Sequence, residues 1–286
     1  MKQFAVPVLL AASYASAQAE CPQRWWDLAS DLETFFSQDG TCSDPARAAI
    51  RLAFHDCFPG TCDGSIIRAG ECTNRPENAQ MVEVCTVLGE KADEYTVSAA
   101  DIIQFGAALG LAACSGGPII SFWAGRPDSY TETDRNAMPN GGTDAQTMIN
   151  MFAARGFNSS ELVALTGAHT IARKLDQTPM DHTVGEWDQR FYTDTSANDT
   201  PGFIDSDKFL SQAGETGEDW RYMGESYQNF MTSFVPAMEK MSMMGNDIGG
   251  MADCTSIISW FYGHVREATR RRVLLKGRRV QSELWS

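Results

Sequence analysis

The stretch Arg51–Ser65, Arg-Leu-Ala-Phe-His-Asp-Cys-Phe-Pro-Gly-Thr-Cys-Asp-Gly-Ser, constrains the fold of this 286-residue chain more than any other. Arg51 and His55 stand four residues apart, so on a helix they share one face, one turn apart. A fixed cation beside a titratable imidazole can split a polar bond: the imidazole moves a proton and the guanidinium holds the charge that develops. Asp56, Asp63 and Ser65 follow, threaded between Cys57 and Cys62. The pattern reads as a hard-cation loop joined to a catalytic helix.

The flanking sequence supplies the helices that such a stretch needs. Ser43-Asp44-Pro45 is a good helix start, and Pro59-Gly60 break the helix into the loop. Helical periodicity also covers Trp25–Ser37, Val97–Ala113, Asp144–Arg155, Asn158–Arg173, Asp207–Ser211 and Glu225–Met244. Val97–Ala113 is apolar almost throughout and reads as buried. Asp101 inside it needs a partner, for which Arg126 is the candidate. Residues 66–95 read as irregular around a short helix at Asn78–Leu88, and 115–145 and 174–206 as loop. Strand patterns are scarce and no repeat is present, so the expected fold is mostly α.

Residues 1–19 read as a secretory signal, with Lys2, the apolar run Phe4–Ala12 and the small-residue site Ala15-Ser16-Ala17. No later apolar run reaches the ~20 residues that span a bilayer, so a soluble, secreted, extracellular protein is expected. Eight cysteines then fit four disulfides. Asn158-Ser159-Ser160 and Asn198-Asp199-Thr200 are glycosylation sequons. A net charge of −14 argues against nucleic acid and anionic membrane surfaces as partners. Residues 264–286 differ: Arg266–Arg279 carries seven Lys or Arg against one Glu, and reads as a solvated, partly disordered basic tail.

A second centre lies at His169, near the end of an amphipathic helix. Thr170 follows it directly, and Asp181, Thr183, Glu186 and Asp188 offer oxygens at spacings of two, three and two. This is again a hard-cation pattern beside a histidine. A planar cofactor between two such helices would have one imidazole as axial ligand and the other as acid–base group.

These residues resemble the plant, fungal and bacterial haem peroxidase superfamily. Arg51-Leu52-Ala53-Phe54-His55-Asp56-Cys57 is similar to its distal signature and Leu165-Thr166-Gly167-Ala168-His169-Thr170-Ile171 to its proximal one. Val97-Ser98-Ala99-Ala100-Asp101-Ile102 and Gly125-Arg126 resemble two further motifs. The likeness runs from Cys21 to Cys254. It is closest to the secreted fungal class II enzymes, with a class III-like loop at Cys57–Cys62.

The resemblance implies one haem b between a distal subdomain (20–145) and a proximal subdomain (146–263), two Ca²⁺ ions and a monomer. It implies that His55 is the distal acid–base group, that Arg51 stabilises the leaving charge, and that His169 is the axial iron ligand. Asn78 would accept a hydrogen bond from the distal imidazole, and Asp207, in Ser206-Asp207-Lys208-Phe209-Leu210, would partner the proximal one. Pro139 resembles the proline near the aromatic-donor site. The distal cation would take Asp56, Asp63 and Ser65 side chains with Pro59 and Thr61 carbonyls. The proximal one would take Thr170, Asp181, Thr183 and Asp188, with the Glu186 carbonyl. Cys57–Cys62 and Cys42–Cys114 follow the family, leaving four cysteines assigned as Cys72–Cys85 and Cys21–Cys254.

The implied reaction is reduction of hydrogen peroxide through a ferryl intermediate, with one-electron oxidation of phenolic or other small aromatic donors. Three acids bind manganese in manganese peroxidases; the corresponding positions here are Asp44, Ala48 and Leu175. The exposed tryptophan of lignin peroxidases falls at Ala164. These departures argue against manganese and lignin oxidation, which stand as the rival enzymatic reading. Met180 stands where the family usually packs an aromatic ring on the proximal imidazole. A reading from another class is a non-catalytic, calcium-stabilised binding protein on the same fold.

Overall fold

The computed structural model describes residues 20–37 and 42–283; the signal sequence read at 1–19 lies outside them. Local capping sets where many of the helices begin. α1 (Gln23–Phe36) turns Trp25, Leu28, Leu32 and Phe36 inward. α2 (Asp44–Cys57) starts at Ser43, whose hydroxyl accepts the Ala46 amide at 3.2 Å, with Pro45 in the first turn. Two single turns follow, α3 (Ser65–Arg68) and α4 (Glu71–Asn74), then a 3-10 segment over Pro76–Met81 and α5 (Val82–Tyr95). α6 (Ala99–Ala113) is capped by Ser98, which accepts the Asp101 amide at 3.0 Å.

β1 (Trp123–Ala124) leads through a long loop to α7 (Ala145–Ala153). α8 (Ser159–Thr166) opens with a capping box between Asn158 and Glu161 and runs into a 3-10 turn over Gly167–Ile171. α9 (Arg190–Ala197), α10 (Asp205–Gln212), α11 (Gly217–Glu225) and α12 (Tyr227–Ser242) follow. β2 (Ala252–Asp253) pairs antiparallel with β1, and α13 (Thr255–Glu283) closes the chain. The fold is mostly α, as expected.

Every residue of α6 is buried, which is why this helix is apolar on all sides. It packs against α2, and α13 lies on both α6 and α1. Trp25, Phe105 and Phe122 interlock there at centroid separations of 4.9 Å. A second aromatic cluster, built from Trp187, Phe230, Phe234, Tyr192 and Trp220, fills the other half. Asp101 does find Arg126: its carboxylate accepts Nη1 at 2.9 Å and the Gly125 and Arg126 amides at 2.7 and 3.1 Å. Arg126 also donates to the Ser242 carbonyl at the end of α12, so this buried ion pair joins α6 to α12.

Several expectations need correction. The region 174–206 is not all loop, since it contains α9. The helix expected over 158–173 stops at Thr166, and His169 sits in the tighter 3-10 turn that follows. The irregular stretch 66–95 holds three helices, the last of 14 residues. α13 continues unbroken past residue 264, so no disordered tail begins there.

Replacing Asp101 by Ala leaves the buried Arg126 charge without its counterion. The unfolding free energy is expected to fall by about 3 kcal/mol or more. A denaturant titration that finds less than about 1 kcal/mol contradicts this reading of the pair.

Candidate active site

Three basic side chains, Arg47, Arg51 and His55, lie four residues apart along α2 and so form one stripe. His55 is buried, and its Nδ1 lies 2.7 Å from Asn78 Oδ1. Asn78 is oriented by its own amide, which donates to the Glu71 carbonyl at 3.0 Å. Its oxygen therefore faces the imidazole, and Nδ1 must carry the proton. Nε2 is left with a lone pair, which accepts from Arg51 Nε at 3.1 Å. Burial, and next the Arg51 charge, push the imidazole down to about 3 against the opposing effect of Asn78. The ring is thus a neutral base at all ordinary pH.

The support for Asn78 extends outward. The Glu71 carboxylate accepts from Arg75 at 2.9 Å and from the Thr133 amide and hydroxyl at 2.8 and 2.9 Å. Both Glu71 and Arg75 are almost fully buried. This pair holds the turn from which Asn78 reaches His55.

On the other side, His169 Nδ1 lies 3.1 and 3.2 Å from the two oxygens of Asp207. The Asp207 side chain is 1% exposed and that of His169 is 34% exposed. The Nε2 atom of His169 is thereby free for another ligand. The edge of Phe191 packs on the ring at a centroid distance of 5.6 Å. Gly167, two residues earlier, leaves no room for a Cβ: one would stand 2.3 Å from Tyr192 Oη and from Phe230. The Gly-Ala-His sequence is therefore a packing requirement of the tight turn that presents His169.

The oxygen-rich residues gather as two clusters. In the distal one Asp56 accepts the Gly64 amide at 3.1 Å, Thr61 Oγ1 donates to Asp63 at 3.0 Å, and Asp63 accepts the Ser65 amide at 3.1 Å. Gly64 has φ +72° and backs onto Ala100 at the start of α6, where a Cβ would stand 2.5 Å from the Ala100 nitrogen. In the proximal one Thr170 Oγ1 donates to Asp181 at 2.6 Å and lies 3.4 Å from Asp188, while Asp181 accepts the Thr183 amide at 2.8 Å. Glu186 is exposed and joins through its backbone amide, which donates to the Thr183 carbonyl at 2.7 Å. Burial raises Asp56 to about 8, with Asp63 adding to the effect, and raises Asp181 to about 7, with Asp188 adding. The buried hydroxyls of Ser65 and Thr183 have no hydrogen-bond acceptor among the protein groups. Among the described residues no three His, Cys, Asp or Glu side chains form a metal centre by themselves. A site for a hard cation here must draw on hydroxyls and carbonyls as well.

Pro139 is half-buried in the loop before α7 and takes part in neither histidine network. Asn158 and Asn198 are both exposed. The cysteines pair as Cys21–Cys254, Cys42–Cys114, Cys57–Cys62 and Cys72–Cys85. Sequence reasoning missed Glu71, Phe191 and Gln80, which accepts from Arg51. Pro76-Glu77-Asn78 marked the turn but gave no sign of its Glu71 anchor, and the ring on His169 comes from α9 and not from position 180.

A profile of the peroxidase family matches residues 28–226, well over half of the chain. A peroxidase of Arthromyces ramosus is 28% identical over 272 residues, covering 82% of this chain and 75% of that protein. A low-redox potential peroxidase of Taiwanofungus camphoratus is 28% identical over 260 residues, covering 82% and 77%. Manganese peroxidase 3 of Phlebia radiata is 27% identical over 261 residues, covering 77% and 71%.

The geometry makes a tautomer prediction. Nitrogen NMR of the protein without ligands is expected to find His55 as the Nδ1–H form and uncharged at pH 5. Its folded value of about 3 lies below the ~6.5 of an unfolded histidine. The unfolded chain therefore takes up the proton first as pH falls. The stability tied to this group is complete above pH ~6.5 and is lost as pH falls toward 3. A His55 ring that titrates near 6.5 contradicts the burial argument.

Proposed function

The chain belongs to the peroxidase family, whose members are oxidoreductases acting on hydrogen peroxide, and on that premise we propose that it is a secreted haem enzyme that oxidises phenolic and other small aromatic donors. The observation that carries this reading is the pair of anchored imidazoles. His55 is fixed as a neutral base by Asn78, and His169 is fixed by a buried carboxylate with its far nitrogen free. That donor set fits haem, whose iron His169 Nε2 would hold. Haem bound there supplies the redox-active iron.

The chain's own residues do the proton and charge work. His55 Nε2 takes a proton from one oxygen of hydrogen peroxide and returns it to the departing one. Arg51 stands beside it with a permanent charge to hold the leaving oxygen. Asn78 keeps Nε2 basic by holding the proton on Nδ1. The Asp207 carboxylate draws on the His169 Nδ1–H and makes Nε2 a stronger electron donor.

Two Ca²⁺ ions fit the two oxygen clusters, and the orphaned Ser65 and Thr183 hydroxyls support that reading. The distal ion would take Asp56, Asp63, Ser65 and the Pro59 and Thr61 carbonyls. The proximal one would take Thr170, Asp181, Thr183, Asp188 and the Glu186 carbonyl. Their role is mechanical: each cluster continues from the segment that carries a histidine. Four disulfides support an oxidising, extracellular setting, and exposed Asn158 and Asn198 suit glycans.

Donor choice follows from three positions. Asp44 is the one acid left and is ion-paired with Arg47, while Ala48 and the exposed Leu175 replace the other two, so a manganese site lacks two of its three acids. Ala164 is fully buried in α8, so nothing at that position could relay electrons from a surface donor. With peroxide, a panel of Mn(II), a simple phenol and a non-phenolic aromatic alcohol is expected to give rapid turnover of the phenol alone. Rapid Mn(II) turnover overturns the donor assignment, and a purified protein without a Soret band overturns the haem reading. Chelation that removes calcium is expected to lower turnover before the chain unfolds. Unchanged turnover after calcium is demonstrably gone contradicts the mechanical role.

A further inference from the structure

Gln80 lies in the 3-10 segment two residues beyond Asn78 and is half-buried. Its carbonyl oxygen accepts Arg51 Nη1 at 2.8 Å, and its amide nitrogen donates to the Lys174 carbonyl at 2.9 Å. The two contacts admit one orientation of the side chain. A guanidinium can only donate and a peptide carbonyl can only accept, so each end of the amide has one possible partner. Arg51 is thereby held at all three nitrogens: by His55 through Nε, by Gln80 through Nη1 and by the Glu77 carbonyl through Nη2 at 3.0 Å. Lys174 lies five residues beyond His169, in a small hairpin whose Lys174 amide donates to the Thr178 carbonyl at 2.9 Å. One side chain therefore spans from the distal guanidinium to the segment that follows the proximal histidine.

We propose that Gln80 is a positioning residue that sets the place of the Arg51 guanidinium and straps the distal side to the 173–178 hairpin that follows the proximal histidine. The inference rests on the haem reading above. Gln80 touches neither histidine. It acts on the reaction through Arg51, and on cofactor retention through Lys174. The two halves do not depend on it for assembly, because Arg47 independently donates to the Ile171 carbonyl at 2.9 Å and the Val184 carbonyl at 3.2 Å. Variants at position 80 are therefore expected to fold.

The two contacts can be separated. Gln80→Glu keeps an acceptor for Arg51 but loses the donor to Lys174, whereas Gln80→Ala loses both. Each variant is compared with wild type by three readouts: the fluoride affinity of the ferric protein, the rate of haem transfer to apomyoglobin, and hydrogen exchange over residues 173–178. Bound fluoride accepts hydrogen bonds, so its affinity reports the guanidinium donors. Gln80→Ala is expected to weaken fluoride binding about tenfold and speed haem release about tenfold, the effect of about one hydrogen bond. Gln80→Glu is expected to bind fluoride like wild type and yet release haem faster, with faster exchange in the hairpin. Gln80→Ala matching wild type in fluoride affinity, haem release and exchange overturns the proposal. Equal loss of fluoride affinity in both variants overturns the Arg51 half of it. Failure of the haem reading is distinguishable, since the wild-type chain would then take up no haem. The exchange comparison on that protein alone still decides whether Gln80 holds the hairpin.

Discussion

The hydrogen bond between His55 and Asn78, 2.7 Å long and closed off from water, decides what the rest of the distal side can do. Without it the imidazole could turn and offer either nitrogen. With it, the basic lone pair is committed to the side where Arg51 stands. The bond is only as firm as its supports. Asn78 is oriented by the Glu71 backbone, Glu71 is locked by Arg75 and Thr133, and α2 is held straight against the fully buried α6. Burial carries a second consequence. It holds the ring neutral far below the usual histidine range, so the base proposed here would not have to shed a proton before it works.

The two histidines are anchored at the same atom by different groups, and the difference fits the two roles proposed for them. A neutral amide oxygen holds Nδ1 of His55 and adds no charge, so the opposite nitrogen keeps its lone pair as an acceptor facing Arg51. A buried carboxylate holds Nδ1 of His169 and pulls on its proton, which enriches the opposite nitrogen for a metal. A distal carboxylate would place a negative charge beside Arg51, and a proximal amide would leave the ligand electron-poor. Each histidine segment then runs directly into a cluster of oxygens that a divalent ion would stiffen.

The parts of this arrangement that were legible in the sequence are those written within a few residues. The Arg51/His55 spacing, the oxygens after each histidine, the helix start at Ser43 and the apolar run of α6 all state their structure locally. Asp101 with Arg126 was legible because a charge inside an apolar helix demands a partner. What was not legible depends on contacts between distant segments. α9 is short and carries Thr193, Asp194, Thr195 and Ser196, which disfavour a helix on their own, so only its packing on the second aromatic cluster reveals it. The 3-10 turn at His169 passes Tyr192 and Phe230 so closely that residue 167 has no room for a Cβ, a constraint set by distant segments. Glu71 and Gln80 act through hydrogen bonds to partners 62 and 94 residues away, a separation that periodicity cannot register. The basic run after residue 264 resembled a tail by composition, yet it extends a helix already begun at Thr255 against the core.

His55, held by Asn78, is proposed as the base toward hydrogen peroxide, with no part in holding the cofactor. Rapid-mixing measurement of the peroxide reaction in a His55→Ala variant tests it most directly. The variant is expected to keep the Soret band of the wild-type protein while its second-order rate with peroxide falls by about 10²- to 10⁴-fold, the range typical of a lost general acid–base group. A His55→Ala protein that keeps its haem and reacts with peroxide within about threefold of wild type would contradict the account.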